Sequence, residues 1–165
     1  MELIIVRHAI AFERDARRWP DDVARPLTPR GMMRARRAAL GLKRLAPRPL
    51  KVLSSPLERA RQTAVILHQF SAWPRPSLCP LLMPGSSPHE LLGLLGRSRE
   101  SCIALVGHQP DLGRVLAACL PGSVGSAAFE LRKMGAALVR FHGAPRAGQA
   151  ELCWLVPPRV LRALR

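Results

Sequence analysis

Arg7, His8, Arg59 and His108 are the side chains whose types and positions could do chemistry together. Each stands at or just after the end of an apolar run. The run "ELIIV" gives way to Arg7 and His8, "KVLS" to Ser55 and, one helical turn on, Arg59, and "CIALV" to Gly107 and His108. Guanidinium forks stay charged and match phosphate oxygens, so two of them around one point make a phosphate cradle. A neutral imidazole can attack phosphorus through one nitrogen when a hydrogen bond to the other fixes its tautomer. A second, protonated imidazole can stabilise charge on the transferring oxygens. Taken singly, an arginine after a strand is a surface ion-pair partner and a histidine a satisfied structural residue; convergence is what would make them a site. His68, inside an amphipathic helix, and His142, near a β-turn, read as structural or surface residues.

Convergence requires strands that end on one rim, because ligands of open parallel α/β sheets sit beyond the carboxyl ends of the strands. Residues 2 to 7 read as a buried strand and the polar stretch 12 to 27 as a loop. A helix then starts, with Thr28 as N-cap and Pro29 at its first position. Met32, Ala35, Ala39, Leu42 and Ala46 recur at spacings of three and four as an apolar stripe, and Pro47 and Pro49 stop it. The segment "KVLSS" is a second strand, followed by a helix-start signature of Ser55 as N-cap, Pro56 at N1 and Glu58 at the capping-box position. Five prolines between 74 and 88 precede a short helix at about 89 to 97. Strand 102 to 106, a turn at 107 to 110 and a helix through Leu120 repeat the pattern. From about 127 the stretches "AAFELR", "AALVRFHG" and "AELCWLV" are short and β-like, and extend the sheet at one edge. The expectation is a single α/β domain over residues 1–165, with a largely parallel sheet covered on both faces and no repeat or linker.

Composition narrows the class. At 165 residues the chain can bury roughly 70% of its unfolded surface without disulfides or metals. Its apolar runs break after five or six residues, far short of a membrane span of ~20, and the opening run is too short for a secretory segment, which points to the cytoplasm. Cys79, Cys102, Cys119 and Cys153 form no C-x-x-C pair, and most sit among apolar neighbours as buried thiols do. The 26 Lys and Arg, 23 of them Arg, against 11 Asp and Glu leave a net charge of +15. Such a field attracts phosphates, acidic proteins or nucleic acid, and equally describes a solvated Arg-rich surface.

The blocks "VRHAIA", "RPLTPRG", "SSPLERARQTA" and "VGHQPDLG", in this order, resemble the histidine phosphatase superfamily, and especially its small branch of SixA-like phosphohistidine phosphatases. The resemblance runs from Met1 to about Leu120. It implies a three-layer α/β/α fold like that of phosphoglycerate mutases, with His8 as the phosphoryl-accepting nucleophile and Arg7, Arg59 and His108 binding the phosphoryl group. Arg25 matches a basic position at the mouth of such sites, where it would touch substrate. No metal and no cofactor is implied. The family's first block is more often R-H-G, whereas Ala9 takes the third place here. Larger relatives carry an acid in the loop after the third strand, where "MPGSSPHELL" offers His89 and Glu90. Glu90 is thus a substrate-side candidate, and also an ordinary first-turn helix acid favoured by the dipole. A site without a dedicated acid would suit phosphohistidine, because a protonated imidazole leaves more readily than an alkoxide. The expected partner is a phosphorylated protein histidine, as in a phosphotransfer domain, or a small phosphorylated substrate; no specific nucleic acid, no membrane, and a monomer.

Other readings are weaker. Cys153 and Arg159 have the C-x5-R spacing of cysteine phosphatases, but "WLVPP" between them has two prolines without N–H groups, where a phosphate loop needs backbone donors. His8 and His108 as metal ligands lack a third protein ligand and have arginines as neighbours. A nucleic-acid module is disfavoured by 4% aromatic content, no Tyr and no reading motif. A catalytically idle scaffold of this fold is disfavoured because all four site residues are present.

Overall fold

A computed structural model describes residues 1–122 and 129–164. In chain order the elements are β1 (Glu2–Arg7), α1 (Pro29–Leu45), β2 (Lys51–Ser54), α2 (Glu58–Ser71) and β3 (Pro76–Leu78). A 3-10 turn (Pro80–Leu82), α3 (Pro88–Gly96), β4 (Cys102–Gly107), α4 (Asp111–Cys119), β5 (Ala136–Phe141), β6 (Ala150–Val156) and α5 (Pro158–Ala163) follow. The six strands form one sheet in the order β3-β2-β4-β1-β5-β6. The first four run parallel; at one edge β5 runs antiparallel to β1 and β6 antiparallel to β5, so that only β5 opposes the rest.

Strand β1 is apolar at every interior position because both of its faces are covered, and successive side chains point to opposite faces. Leu3 and Ile5 join Leu91, Leu95, Leu112 and Leu116 of α3 and α4. Ile4 and Val6 join Ala35, Leu42, Leu67 and Leu161 of α1, α2 and α5. The result is a three-layer α/β/α sandwich with a mostly parallel sheet. Thr28 caps α1 as its position implied, its Oγ1 accepting from the Gly31 N–H at 2.9 Å. In the last third of α1, a Cβ on Gly41 would stand 1.9 Å from the Leu161 carbonyl oxygen, so only glycine lets α5 lie directly on α1.

Three local expectations are corrected. The second helix begins at Glu58 with Leu57 as N-cap and no side-chain cap bond, so Ser55 is not its cap; the Ser55 hydroxyl is engaged by a histidine instead. In "AAFELR", residues 129–132 are not a strand, and Ala127 and Ala128 lie outside the described residues. The chain turns there, with the Leu131 carbonyl taken by Arg7 and the Arg132 carbonyl by the Gly135 N–H. Finally, the proline-rich stretch holds the short edge strand β3 and the 3-10 turn, neither of which was expected. No helix among the described residues is long and apolar enough to cross a membrane.

Candidate active site

Because β4 lies between β1 and β2, the residues that leave these three strands emerge side by side. The pairing continues one residue past the sheet: the His8 N–H donates to the Gly107 carbonyl and the Ser55 N–H to the Val106 carbonyl, both at 2.9 Å. This places the His8 and His108 rings with centroids 5.1 Å apart, tilted by 53°. Both are nearly buried, at 7% and 4% exposure.

His8 has its tautomer set by its own backbone. Nδ1–H donates to the Ala9 carbonyl at 2.7 Å, which leaves the Nε2 lone pair for a ligand. The Ala9 peptide is itself held: its N–H donates to Thr63 Oγ1 at 3.0 Å, and that hydroxyl donates to the Arg59 carbonyl at 2.7 Å. A fully buried threonine on α2 therefore ties the peptide that holds His8 to the helix that carries Arg59.

His108 Nε2 lies 2.8 Å from Ser55 Oγ. That hydroxyl also accepts from the Leu57 N–H at 3.4 Å, and its own proton can go to His108 Nε2. In that arrangement His108 carries its proton on Nδ1, a buried nitrogen without a partner among the described residues. The buried Nε atoms of Arg7 and Arg59 are likewise without partners. An unpaired buried donor costs about 1–3 kcal/mol, a penalty that an anion accepting from these groups would relieve.

Each arginine is anchored at one end. Arg7 Nη1 donates to the Leu131 carbonyl at 2.8 Å. Arg59, whose side chain is 6% exposed, reaches Asp22 twice, through Nη1 to its carbonyl at 2.9 Å and Nη2 to Oδ2 at 3.2 Å. Asp22 also takes Arg25 Nε at 2.6 Å, and Arg25 donates on to the Phe12 carbonyl. The loop 12–27 is thus clamped over the cluster by one carboxylate between two arginines.

The electrostatics follow from burial among cations. His8 is pushed down to about 3, mainly by desolvation, then by His108, with Arg59 and Arg7 adding to it against the opposing Ala9 hydrogen bond. His108 is also pushed to about 3, by desolvation first and then Arg59, with Asp22 opposing and Arg25 and Arg7 reinforcing. In the free protein burial and the surrounding cations therefore favour the neutral form of His108; a bound dianion would reverse the sign of its surroundings. Asp22 is held below the ordinary carboxylate range, first by its bond to Arg25.

The structure thus brings Arg7, His8, Arg59 and His108 into one cluster and links Arg25 to it through Asp22. Glu90 is exposed in the first turn of α3, where its N–H faces the capping Ser87 hydroxyl at 3.5 Å; its side chain makes no hydrogen bond to the cluster. Asp22, Ser55 as a histidine partner, and Thr63 were not found by sequence reasoning. Among the described residues no three His, Cys, Asp or Glu side chains gather as a metal site would need.

Comparison with known proteins identifies relatives of the sequence and the fold. Residues 3–77 match the family described as the histidine phosphatase superfamily (branch 1). An uncharacterized protein of Picosynechococcus sp. is 38% identical over 138 residues, covering 82% of this chain and 82% of its own. Among solved structures, the protein histidine phosphatase SixA complexed with tungstate is similar at TM-score 0.84 and 25% identity, covering 98% of this chain and 99% of its own. A SixA protein of Agrobacterium tumefaciens is similar at TM-score 0.78 and 21% identity, with 95% and 97% covered. A mycobacterial glucosyl-3-phosphoglycerate phosphatase shares the fold at TM-score 0.69 and 17% identity, with 92% and 96% covered.

Proposed function

The chain belongs to the histidine phosphatase superfamily, and from that premise we propose that it is a protein phosphohistidine phosphatase working through a phosphorylated His8. The observation that carries the reading is the fixed His8 tautomer, Nδ1 on the Ala9 carbonyl, beside His108 at 5.1 Å and between two anchored arginines. In the first step the His8 Nε2 lone pair attacks phosphorus in line. The bond from phosphorus to the leaving nitrogen breaks, and that imidazole departs with the proton it already carries. Water then attacks the phosphoryl group, the His8 Nε2–P bond breaks, and phosphate leaves.

Arg7, Arg59 and His108 hold the non-bridging oxygens throughout. Because they are anchored before substrate arrives, the charge that stabilises the transition state needs no rearrangement, an effect worth about 2.7–4 kcal/mol per well-placed donor. The burial that keeps His8 neutral also keeps it nucleophilic at neutral pH. No metal enters this reading, since arginines supply the positive charge. Arg25 is the substrate contact at the rim, and Glu90 would meet only a substrate that extends over α3.

The test is a substrate panel of a histidine-phosphorylated phosphotransfer domain, phosphoramidate and common phosphomonoesters, with His8→Ala as control. Phosphate release from the phosphohistidine protein, absent in His8→Ala, is expected. Faster turnover of a phosphomonoester would replace the substrate class, and release persisting in His8→Ala would overturn the nucleophile.

A further inference from the structure

Beyond the reaction centre, the same rim continues over β1, β5 and β6 into a cleft of about 540 Å³. Arg159 and Arg162 of α5 and Arg34 of α1 form one side, Arg132 and Lys133 of the turn before β5 form the other, and Arg7 borders it. Among the described residues Glu130 is the one carboxylate that lines it. No carboxylate of the described residues lies within ion-pair distance of any of these six cations.

The walls are fixed rather than loose. Backbone contact at Gly41 seats α5 on α1 and so sets Arg159 and Arg162 relative to Arg34. On the opposite side the turn is pinned by Arg7 on the Leu131 carbonyl and by the Met134 N–H on the Arg7 carbonyl at 3.1 Å. Arg162 is half-buried, and its desolvation, followed by the Arg34, Arg159 and Arg37 charges, lowers its proton affinity. Like charges held this close repel until an anion enters between them.

We propose that this cleft is a second anion site, binding the polyphosphate chain of a small molecule, either inorganic polyphosphate or a nucleotide. Its volume is that of a small-molecule pocket. Guanidinium forks suit phosphate oxygens, and charges crowded into one concavity are matched by adjoining phosphates better than by carboxylates on separate stems. Arg7 borders both places, so an occupied cleft weakens the hold of the reaction centre on its phosphoryl group. That coupling rests on the proposed hydrolase activity; binding itself does not.

The experiment is calorimetric titration of the intact chain with sodium tripolyphosphate, adenosine triphosphate and a hexaglutamate peptide. Saturable binding of tripolyphosphate is expected, with one site retained in Arg59→Ala, where the reaction centre is impaired. In Arg159→Gln/Arg162→Gln it should weaken by at least about tenfold, as the loss of two charge-assisted contacts implies. The exposed pair Arg132→Gln/Lys133→Gln should give the same result with no burden on folding. Equal affinity for the two phosphate probes assigns the site to the chain alone, and tighter adenosine triphosphate assigns it to nucleotides. Unsaturable binding, equal affinity for hexaglutamate, or loss in Arg59→Ala with retention in the cleft variants overturns the site. In parallel, tripolyphosphate should raise KM in the wild type and not in the cleft variants. An inactive wild type that still binds tripolyphosphate refutes the hydrolase reading alone; an active one that does not bind refutes the cleft alone.

Discussion

Substituting Ser55 by Ala separates two incompatible roles for one hydroxyl. As a helix cap it would stabilise α2, and its loss would cost stability of about 1 kcal/mol with little effect on rate. As the partner of His108 it sets which imidazole nitrogen carries the proton, and its hold on α2 is limited to a long 3.4 Å contact with the N–H of Leu57, which itself holds the cap position. Truncation leaves His108 Nε2 buried without a partner, at about 1–3 kcal/mol. In a domain of this size that is a fall in Tm of roughly 2–12 °C. The larger effect is on catalysis, since the Nδ1–H donor is no longer enforced; loss of an oriented donor to a transferring oxygen lowers kcat by about 10²–10³. The assay is kcat and KM for the best substrate of the panel, alongside thermal melts, for Ser55→Ala, His108→Ala and the double variant. Ser55→Ala should fall most of the way to His108→Ala, with no further loss in the double variant, because the hydroxyl acts only through the ring. A Ser55→Ala rate within twofold of wild type, with α2 melting early, would refute this assignment and restore the cap.

Thr63→Val removes the hydroxyl between the Ala9 N–H and the Arg59 carbonyl. It should cost about 1–3 kcal/mol in denaturant unfolding and lower kcat, while Thr63→Ser restores both; equal behaviour of the two variants contradicts the tie. Acid sensitivity follows from the histidines. Both are held at about 3 in the folded protein against 6.5 when free, so only the unfolded chain takes up protons between those values. Stability should be full above 6.5 and fall steadily as pH drops toward 3, with a shallower slope in His108→Ala; a flat profile of unfolding free energy counts against the burial argument. Gly41→Ala forces a methyl group onto the Leu161 carbonyl and should destabilise by about 1–3 kcal/mol, read as a lowered unfolding midpoint.

The central architecture was legible because its cause is local. Runs such as "LIIV" and "IALV" are apolar on both faces only if a sheet is covered twice, and the polar residues that end them must share a rim. Thr28 and Pro29 marked α1 through chemistry that acts within three residues. What was missed depends on contacts between distant segments. Asp22 stands in a polar loop beside Asp15 and Asp21, and nothing local distinguishes the carboxylate that meets Arg59, 37 positions on. Ser55 carries a convincing cap signature, yet a histidine 53 residues away outcompetes the helix for it. Thr63 looks like any helical threonine until the Ala9 peptide is laid against it. Strand β3 has three residues and begins with proline, so it shows no alternation to read.

The central position of β4 has a consequence for synthesis. Strands β1 and β2 do not touch each other as neighbours; the strand that separates them is made about fifty residues after β2. A nascent chain on the ribosome therefore holds Arg7, His8 and Arg59 for a long interval without the slat that would bring them to one edge. Only when Cys102–Gly107 lies between them do these side chains share one edge, and Arg7 gains its anchor on the Leu131 carbonyl later still.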